Sequence, residues 1–192
     1  MKKVLILNGH QYYDVVAKGD LTNHYIDCAN KFFEENGFEV KQTHIEKGYT
    51  IQEEVEKFKW ADYILFQYPV YWMSLPWIAK KYIDETFTQG VHYASDGRSR
   101  SDASKLYGSG GLMQGKKYML SLTWNAPIDA FTEADQFFEG VGVDGVYLPF
   151  HKANQFLGMQ SLPTFIVNDV IKAPEVEAYM AQYREHLTQV FA

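Results

Sequence analysis

Short all-apolar runs alternate with longer stretches of helical period along this chain. Val4-Leu5-Ile6-Leu7 is an unbroken apolar run of strand length, as in a parallel strand covered on both faces. From Asp20 the apolar spacing is helical, through Leu21, Tyr25, Cys28 and Phe32, and it stops at Asn36-Gly37, a good C-terminal signal. Phe38 to Ile45 alternates and predicts a second strand at a sheet edge. Thr50-Ile51-Gln52-Glu53 has capping-box spacing and predicts a short helix with Ile51, Val55 and Phe58 turned inward. Asp62 to Phe66 predicts a third strand. Ser74 is placed to cap the next helix, with Pro76 in its first turn, and that helix runs to about Thr88.

Gly90 to Gly115 breaks the rhythm. It is polar, holds five glycines besides Gly90 (Gly97, Gly108, Gly110, Gly111, Gly115), and carries Arg98, Arg100 and Lys105. A stretch this long without periodicity usually has a task or makes an interface. Lys116 to Trp124 predicts a fourth strand, and Thr132-Glu133-Ala134-Asp135 resembles a helix start. Apolar segments around Gly145 to Phe150 and Pro163 to Val170 follow, one of them supplying a fifth strand. Pro174 to Val190 predicts a final helix. Strands alternating with helices predict one open α/β sheet with helices on both faces. The 192 residues favour a single domain. Ligands of such sheets sit beyond the carboxyl ends of the strands, which directs attention to the loops after strands one, three and four.

Composition narrows the chemistry. A net charge of -6 argues against a nucleic-acid partner, because phosphate backbones are met by clustered Lys and Arg. No apolar run reaches membrane-spanning length, so no membrane insertion is expected. Met1-Lys2-Lys3 before the first apolar run superficially resembles a signal peptide, but the run is too short and ends at Asn8-Gly9-His10 without a small-residue cleavage site; a cytoplasmic protein is expected. Cys28 is the single cysteine, and its helical stripe predicts a buried core thiol. The six His residues show no metal-ligand spacing. Aromatic residues make up 16% of the chain, enough to ask where rings lie outside the core.

The loop after strand three, Gln67-Tyr68-Pro69-Val70-Tyr71-Trp72-Met73, concentrates rings at a strand end. An isoalloxazine needs a flat apolar wall and backbone donors along one edge, and this loop can supply both; alternatively the rings pack under the next helix, which is expected for Trp77. The loop from Asn8 to Asp20 enters a helix N-terminus with Lys18 and Gly19 beside it, either a phosphate holder or an ordinary connection. Thr123-Trp124-Asn125-Ala126-Pro127, after strand four, either offers amides to the polar edge of a flavin or is a Pro-terminated turn. Gly140-Val141-Gly142-Val143-Asp144-Gly145 matches the dinucleotide-binding pattern, but it follows a predicted helix where a strand is required, and is read as a connection.

Four segments carry a resemblance: Tyr93-Ala94-Ser95-Asp96-Gly97-Arg98, Tyr107-Gly108-Ser109-Gly110-Gly111, Leu120-Ser121-Leu122-Thr123-Trp124-Asn125-Ala126-Pro127, and Gly142 through Asn154. On these the chain resembles the bacterial modulator of drug activity B proteins, NAD(P)H:quinone reductases of the flavodoxin-like, DT-diaphorase-related family, over essentially its whole length. The resemblance implies a flavodoxin-like open parallel sheet in the order 2-1-3-4-5, a homodimer with FAD, NADPH as donor, and two-electron reduction of quinones. It implies that Lys18, Gly19, Leu21, Thr22 and Asn23 meet the FAD phosphates and ribityl chain. It places the flavin ring against Pro69, Val70, Tyr71, Trp72 and Met73 and against Thr123, Trp124, Asn125 and Ala126, with Tyr107 also in contact. For the substrate it suggests Trp72, Tyr107 and His151. The chain departs from the pattern in Gln11 to Ala17, where a serine expected near Ala17 is missing.

The expected kinetics are ping-pong, with NADPH and quinone using one pocket in turn, and with Gly90 to Gly115 covering the flavin of the other subunit. A regulatory alternative is an ancillary flavoprotein subunit of a potassium efflux transporter. A phosphoreceiver domain shares the sheet order but needs an acidic cluster after strand one and an Asp ending strand three; Asn8-Gly9 and Gln67-Tyr68 stand there instead.

Overall fold

The computed structural model describes residues 1–191. Its strands are β1 (Lys3–Asn8), β2 (Glu39–His44), β3 (Tyr63–Pro69), β4 (Lys117–Thr123), β5 (Gln160–Ser161) and β6 (Phe165–Val167). Between and after them lie helices α1 (Asp20–Glu35), α2 (Ile51–Trp60), α3 (Trp77–Thr86), α4 (Asp129–Thr132), α5 (Gly142–Val146), α6 (Leu148–Phe156) and α7 (Val176–Phe191). All pairings are parallel, in the order β2-β1-β3-β4-β5, with β6 also on β4. The fifth position is thus shared by two short pieces. Pro163 lies between them, and without an N–H it cannot continue a ladder.

Alternation along the inner strands makes two cores. Leu5, Leu7, Phe66, Tyr68, Leu120 and Leu122 face one side, with Phe58, Ile78, Tyr82 and Phe150 of α2, α3 and α6. Val4, Ile6, Leu65 and Met119 face the other, with Tyr25, Ala29 and Phe33 of α1 and Tyr183 and Leu187 of α7. β2 is the edge, and its solvent-facing residues are polar. The stop at Asn36-Gly37 forms as predicted: Gly37 adopts φ 74, and the Phe38 N–H donates to the Phe33 carbonyl at 2.9 Å.

Several sequence expectations change. The capping box at Thr50 does not close, since the Thr50 side chain caps nothing. Ile51 is exposed and Glu54 takes the inward position, only 1% exposed. It is kept there by donors from Thr43 Oγ1 (2.7 Å), Tyr82 OH (2.6 Å) and Lys57 Nζ (2.6 Å). Ser74 does not cap α3. Cys28 is half-buried, because the inward stripe of α1 runs through Thr22, Tyr25, Ile26, Ala29 and Phe33. Thr132 ends a one-turn helix where a helix start was expected. Gly145 to Phe150 is helical, so the fifth strand comes from the later segment. The dinucleotide-like glycines lie at α5, preceded by turns and no strand.

Gly90 to Gly115 has no helix or strand, yet it is tied to the body. The Leu112 N–H donates to the His92 carbonyl (2.8 Å), the Ala94 N–H to Gly110 (2.8 Å), and the Met113 N–H to Leu157 (2.8 Å). Among the described residues no helix is long and apolar enough to cross a membrane, and no group of three or more His, Cys, Asp or Glu is placed to hold a metal.

Candidate functional site

A cleft of about 370 Å³ opens at the carboxyl edge of the sheet, between the loops after β1, β3, β4 and β6. One end is polar. It is made by His10, Lys18 and the first turn of α1 from Gly19 to Thr22. Gly19 adopts φ 95, a conformation that favours glycine, and α1 begins without a side-chain cap. The first N–H groups of α1 are therefore left to meet an anion.

His10 is one residue of the cleft that sequence reasoning missed. It is 4% exposed, and its Nε2 is buried without a hydrogen-bond partner among the described residues. A side chain added at Gly19 would lie 3.0 Å from its ring. Burial pushes the His10 pKa down, against the opposing pull of Glu46 and Asp20. Its position two residues past β1, in a loop already singled out by topology, was the available signal. Gly9 before it is required by close packing: a Cβ there would meet the Tyr68 ring at 2.2 Å. Asn8 fixes the loop's start by accepting the His10 N–H at 3.0 Å.

The other end of the cleft is flatter and more apolar, with Pro69, Val70 and Tyr71 on one wall and Thr123, Asn125, Val170 and Ile171 on another. The last two come from the loop after β6, which the sequence did not single out. Two asparagines tie that loop to the one after β4. Asn125 Oδ1 accepts from the N–H groups of Ile171 (3.0 Å) and Lys172 (3.1 Å), and Asn168 Nδ2 donates to the Ala126 carbonyl (2.7 Å). Trp124 turns away from the cleft into the core, 7% exposed, against Phe131, Phe138 and Tyr147. Its N–H is spent on the Val167 carbonyl.

The aromatic loop divides in a way the sequence did not show. β3 continues to Pro69, so Tyr68 is core and fully buried. Tyr71 and Ser74 then exchange backbone hydrogen bonds (3.2 and 3.1 Å), closing a two-residue turn over Trp72 and Met73. Both turn residues have positive φ, 49 and 59, and Trp72 is 93% exposed. Left-handed backbone at consecutive bulky residues costs roughly 1–2 kcal/mol each and tends to mark functional sites. Trp77, expected in the core, is 60% exposed: α3 turns Ile78, Ala79, Tyr82 and Ile83 inward.

Of the residues expected at the flavin, Asn23, Trp72, Met73, Tyr107, Trp124 and Ala126 do not line the cleft. Asn23 is exposed on α1, within reach of Asn8 Nδ2 (3.4 Å). Tyr107 is 70% exposed and packs on Phe156, with the Arg98 guanidinium over its ring. His151, suggested for the substrate, lies elsewhere. Its Nδ1 meets Tyr118 OH at 2.8 Å and its Nε2 lies 3.2 Å from Asp144 Oδ1, both away from the cleft.

The family model for the flavodoxin-like fold matches residues 2–190. The NADPH:quinone oxidoreductase MdaB of Haemophilus influenzae is 49% identical over 190 residues, covering 98% of each chain. The chain belongs to this flavodoxin-like family. Among solved structures, a candidate quinone reductase from Klebsiella pneumoniae superposes with a TM-score of 0.79 at 21% identity, over 98% of this chain and 85% of that one. The general stress protein 14 of Treponema denticola, solved in complex with FMN, gives 0.71 at 21% identity over 98% and 97%. At these identities the two structures speak for the fold.

Proposed function

We propose that this chain is an FAD-dependent NADPH:quinone oxidoreductase, built as a single flavodoxin-like domain over 1–192, acting in the cytoplasm as a homodimer. The observation that carries the reading is the make-up of the cleft. One end is suited to phosphate, with an unpartnered buried His10 Nε2 and an uncapped helix start; the other offers a flat apolar wall. The near full-length similarity to the Haemophilus influenzae protein, whose name carries this activity, supports it.

A flavin fits these residues. Lys18, Gly19, Leu21 and Thr22, with His10 and the nearby Asn23, would hold the phosphates and ribityl chain through helix-start amides and positive charge. Pro69 to Met73 carry the ring on one side, and the loop from Thr123 to Ala126 meets its polar edge. Val170 and Ile171 add apolar surface to the wall that faces Pro69, Val70 and Tyr71. A flavin held there would supply two-electron chemistry between NADPH and a quinone, with one proton taken up from solvent per quinone reduced. The chain positions both substrates at one open face, so they bind in turn. Tyr107 and the Gly90 to Gly115 stretch cover the cleft of the partner, and Trp72 stands where substrate enters.

The test is direct. The purified protein is expected to be yellow, to bleach on adding NADPH and to recover its colour on adding menadione, and the released flavin is expected to run as FAD. Double-reciprocal plots are expected to be parallel; converging lines overturn the shared face. A colourless protein that takes up neither FAD nor FMN overturns the whole reading.

A further inference from the structure

We propose that Glu46 is a positioning residue of the flavin site: from outside the cleft it holds the loop after β1 in the shape that retains the flavin phosphates. The inference rests on the reading of the cleft given above.

The loop from Gly9 to Lys18 has little apolar anchorage. Tyr12, Tyr13, Val15 and Val16 are all exposed, Val15 at 92%. A segment with few buried contacts keeps its shape through polar ties or opens readily. The ties here are few. Tyr13 and Ala17 exchange backbone hydrogen bonds at 2.9 Å within the loop. On the inner side, Tyr71 OH donates to the Gln11 carbonyl at 3.0 Å. On the outer side, one carboxylate oxygen of Glu46 accepts both the Gln11 side-chain amide (2.7 Å) and the Tyr12 N–H (2.8 Å). Hydrogen bonds to an ionised acceptor are about twice as strong as neutral ones.

Glu46 is itself well placed to act as an anchor. It sits on the 3₁₀ turn Ile45–Lys47 that follows β2, and Ile45 beside it is 4% exposed in the core. The anchor thus ties the edge of the sheet to a loop whose next residues, Val16 to Gly19, form the polar end of the cleft. A carboxylate near a phosphate site is electrostatically unfavourable by itself, and Asp20 adds another at the helix start. The hydrogen bonds give a reason for Glu46 to be there. Charge and hydrogen bonding are separable, because glutamine keeps the accepting oxygen and loses the charge.

The experiment measures release of bound flavin from the holo-protein after dilution, by fluorescence of the freed flavin, in wild type, Glu46→Ala and Glu46→Gln. Thermal unfolding of the flavin-free forms serves as control. E46A is expected to release flavin about tenfold faster, the effect of losing about one net charge-assisted hydrogen bond. E46Q, which keeps the accepting oxygen at about half the bond strength, is expected to fall between the two, releasing flavin about threefold faster than wild type, with flavin-free stability alike in all three. Unchanged release in E46A overturns the inference, and so does tighter binding by both variants, which would make Glu46 a repulsive charge only. E46Q releasing as fast as E46A also overturns it, since charge and not geometry would then matter. A wild-type protein that binds no flavin sinks the cofactor reading, a different outcome from any of these.

Discussion

Acid is expected to destabilise the fold through one buried histidine, and the size of the effect follows from its surroundings. His92 is fully buried at the start of the Gly90 to Gly115 stretch. Its Nδ1 accepts the Thr88 N–H at 2.9 Å, which leaves the proton of the neutral ring on Nε2, and the ring lies edge-on to Phe58 at 5.5 Å. Burial, helped by the charges of Lys116 and Lys59, pushes its pKa down from 6.5 to about 4. The unfolded chain takes up this proton near the ordinary value, and the folded chain only near the lowered one. Between those values the unfolded state binds more protons, so stability falls as the pH falls through that window. From pH 7.5 to pH 5 this single group is expected to remove about 2 kcal/mol, rising to about 3 kcal/mol once the pH is below both values. The perturbation is His92→Asn, which keeps an acceptor for the Thr88 N–H and cannot titrate. Urea unfolding of the flavin-free protein at both pH values, with and without the substitution, isolates the effect from the carboxylates. Wild type is expected to lose about 2 kcal/mol more than H92N over this interval, or about 5 °C in melting temperature for a chain of this size. Parallel losses in the two proteins would refute the reasoning. Because the His92 carbonyl accepts the Leu112 N–H, hydrogen exchange in the stretch should rise first on acidification.

Two further outcomes bear on the site. Trp72→Asn, which relieves left-handed strain at a 93% exposed position, is expected to leave the flavin-free protein as stable as wild type or up to about 1 kcal/mol more stable, while NADPH-dependent quinone turnover falls; a clear drop in melting temperature would contradict this. His10→Asn is expected to weaken flavin affinity about tenfold at neutral pH and to flatten its pH dependence. In wild type the lowered His10 pKa rises when a phosphate arrives, so affinity increases as the pH falls toward 6; titration by flavin fluorescence decides it, and identical pH profiles would show that His10 makes no phosphate contact.

Much of this architecture is legible along the chain because it depends on local period. Unbroken apolar runs such as Val4 to Leu7, short and ended by Asn8-Gly9, read as strands covered on both faces, and the helix ending at Asn36-Gly37 stops where a residue of positive φ is supplied. Alternation of the two element types then places ligands at the carboxyl edge of the sheet, and the loops after β1, β3 and β4 do meet there. What local pattern could not decide is which way a side chain turns once it is at that edge. Tyr68 and Trp72 look alike as rings near a strand end. Pairing of Pro69 with Thr123 extends β3 by three residues and sends Tyr68 into the core, and the left-handed turn then lifts Trp72 into solvent. Ile51 and Glu54 exchange their expected places because Thr43 and Tyr82, distant in sequence, come together around the carboxylate. Trp77 faces outward because the rotation of α3 is set by the residues that fill the space beneath it. His10 gains its interest only from burial against Gly19, nine residues on. Period is a property of neighbours along the chain and survives in the sequence; burial, register and the pairing of polar atoms are properties of neighbours in space, and only the folded chain brings those together.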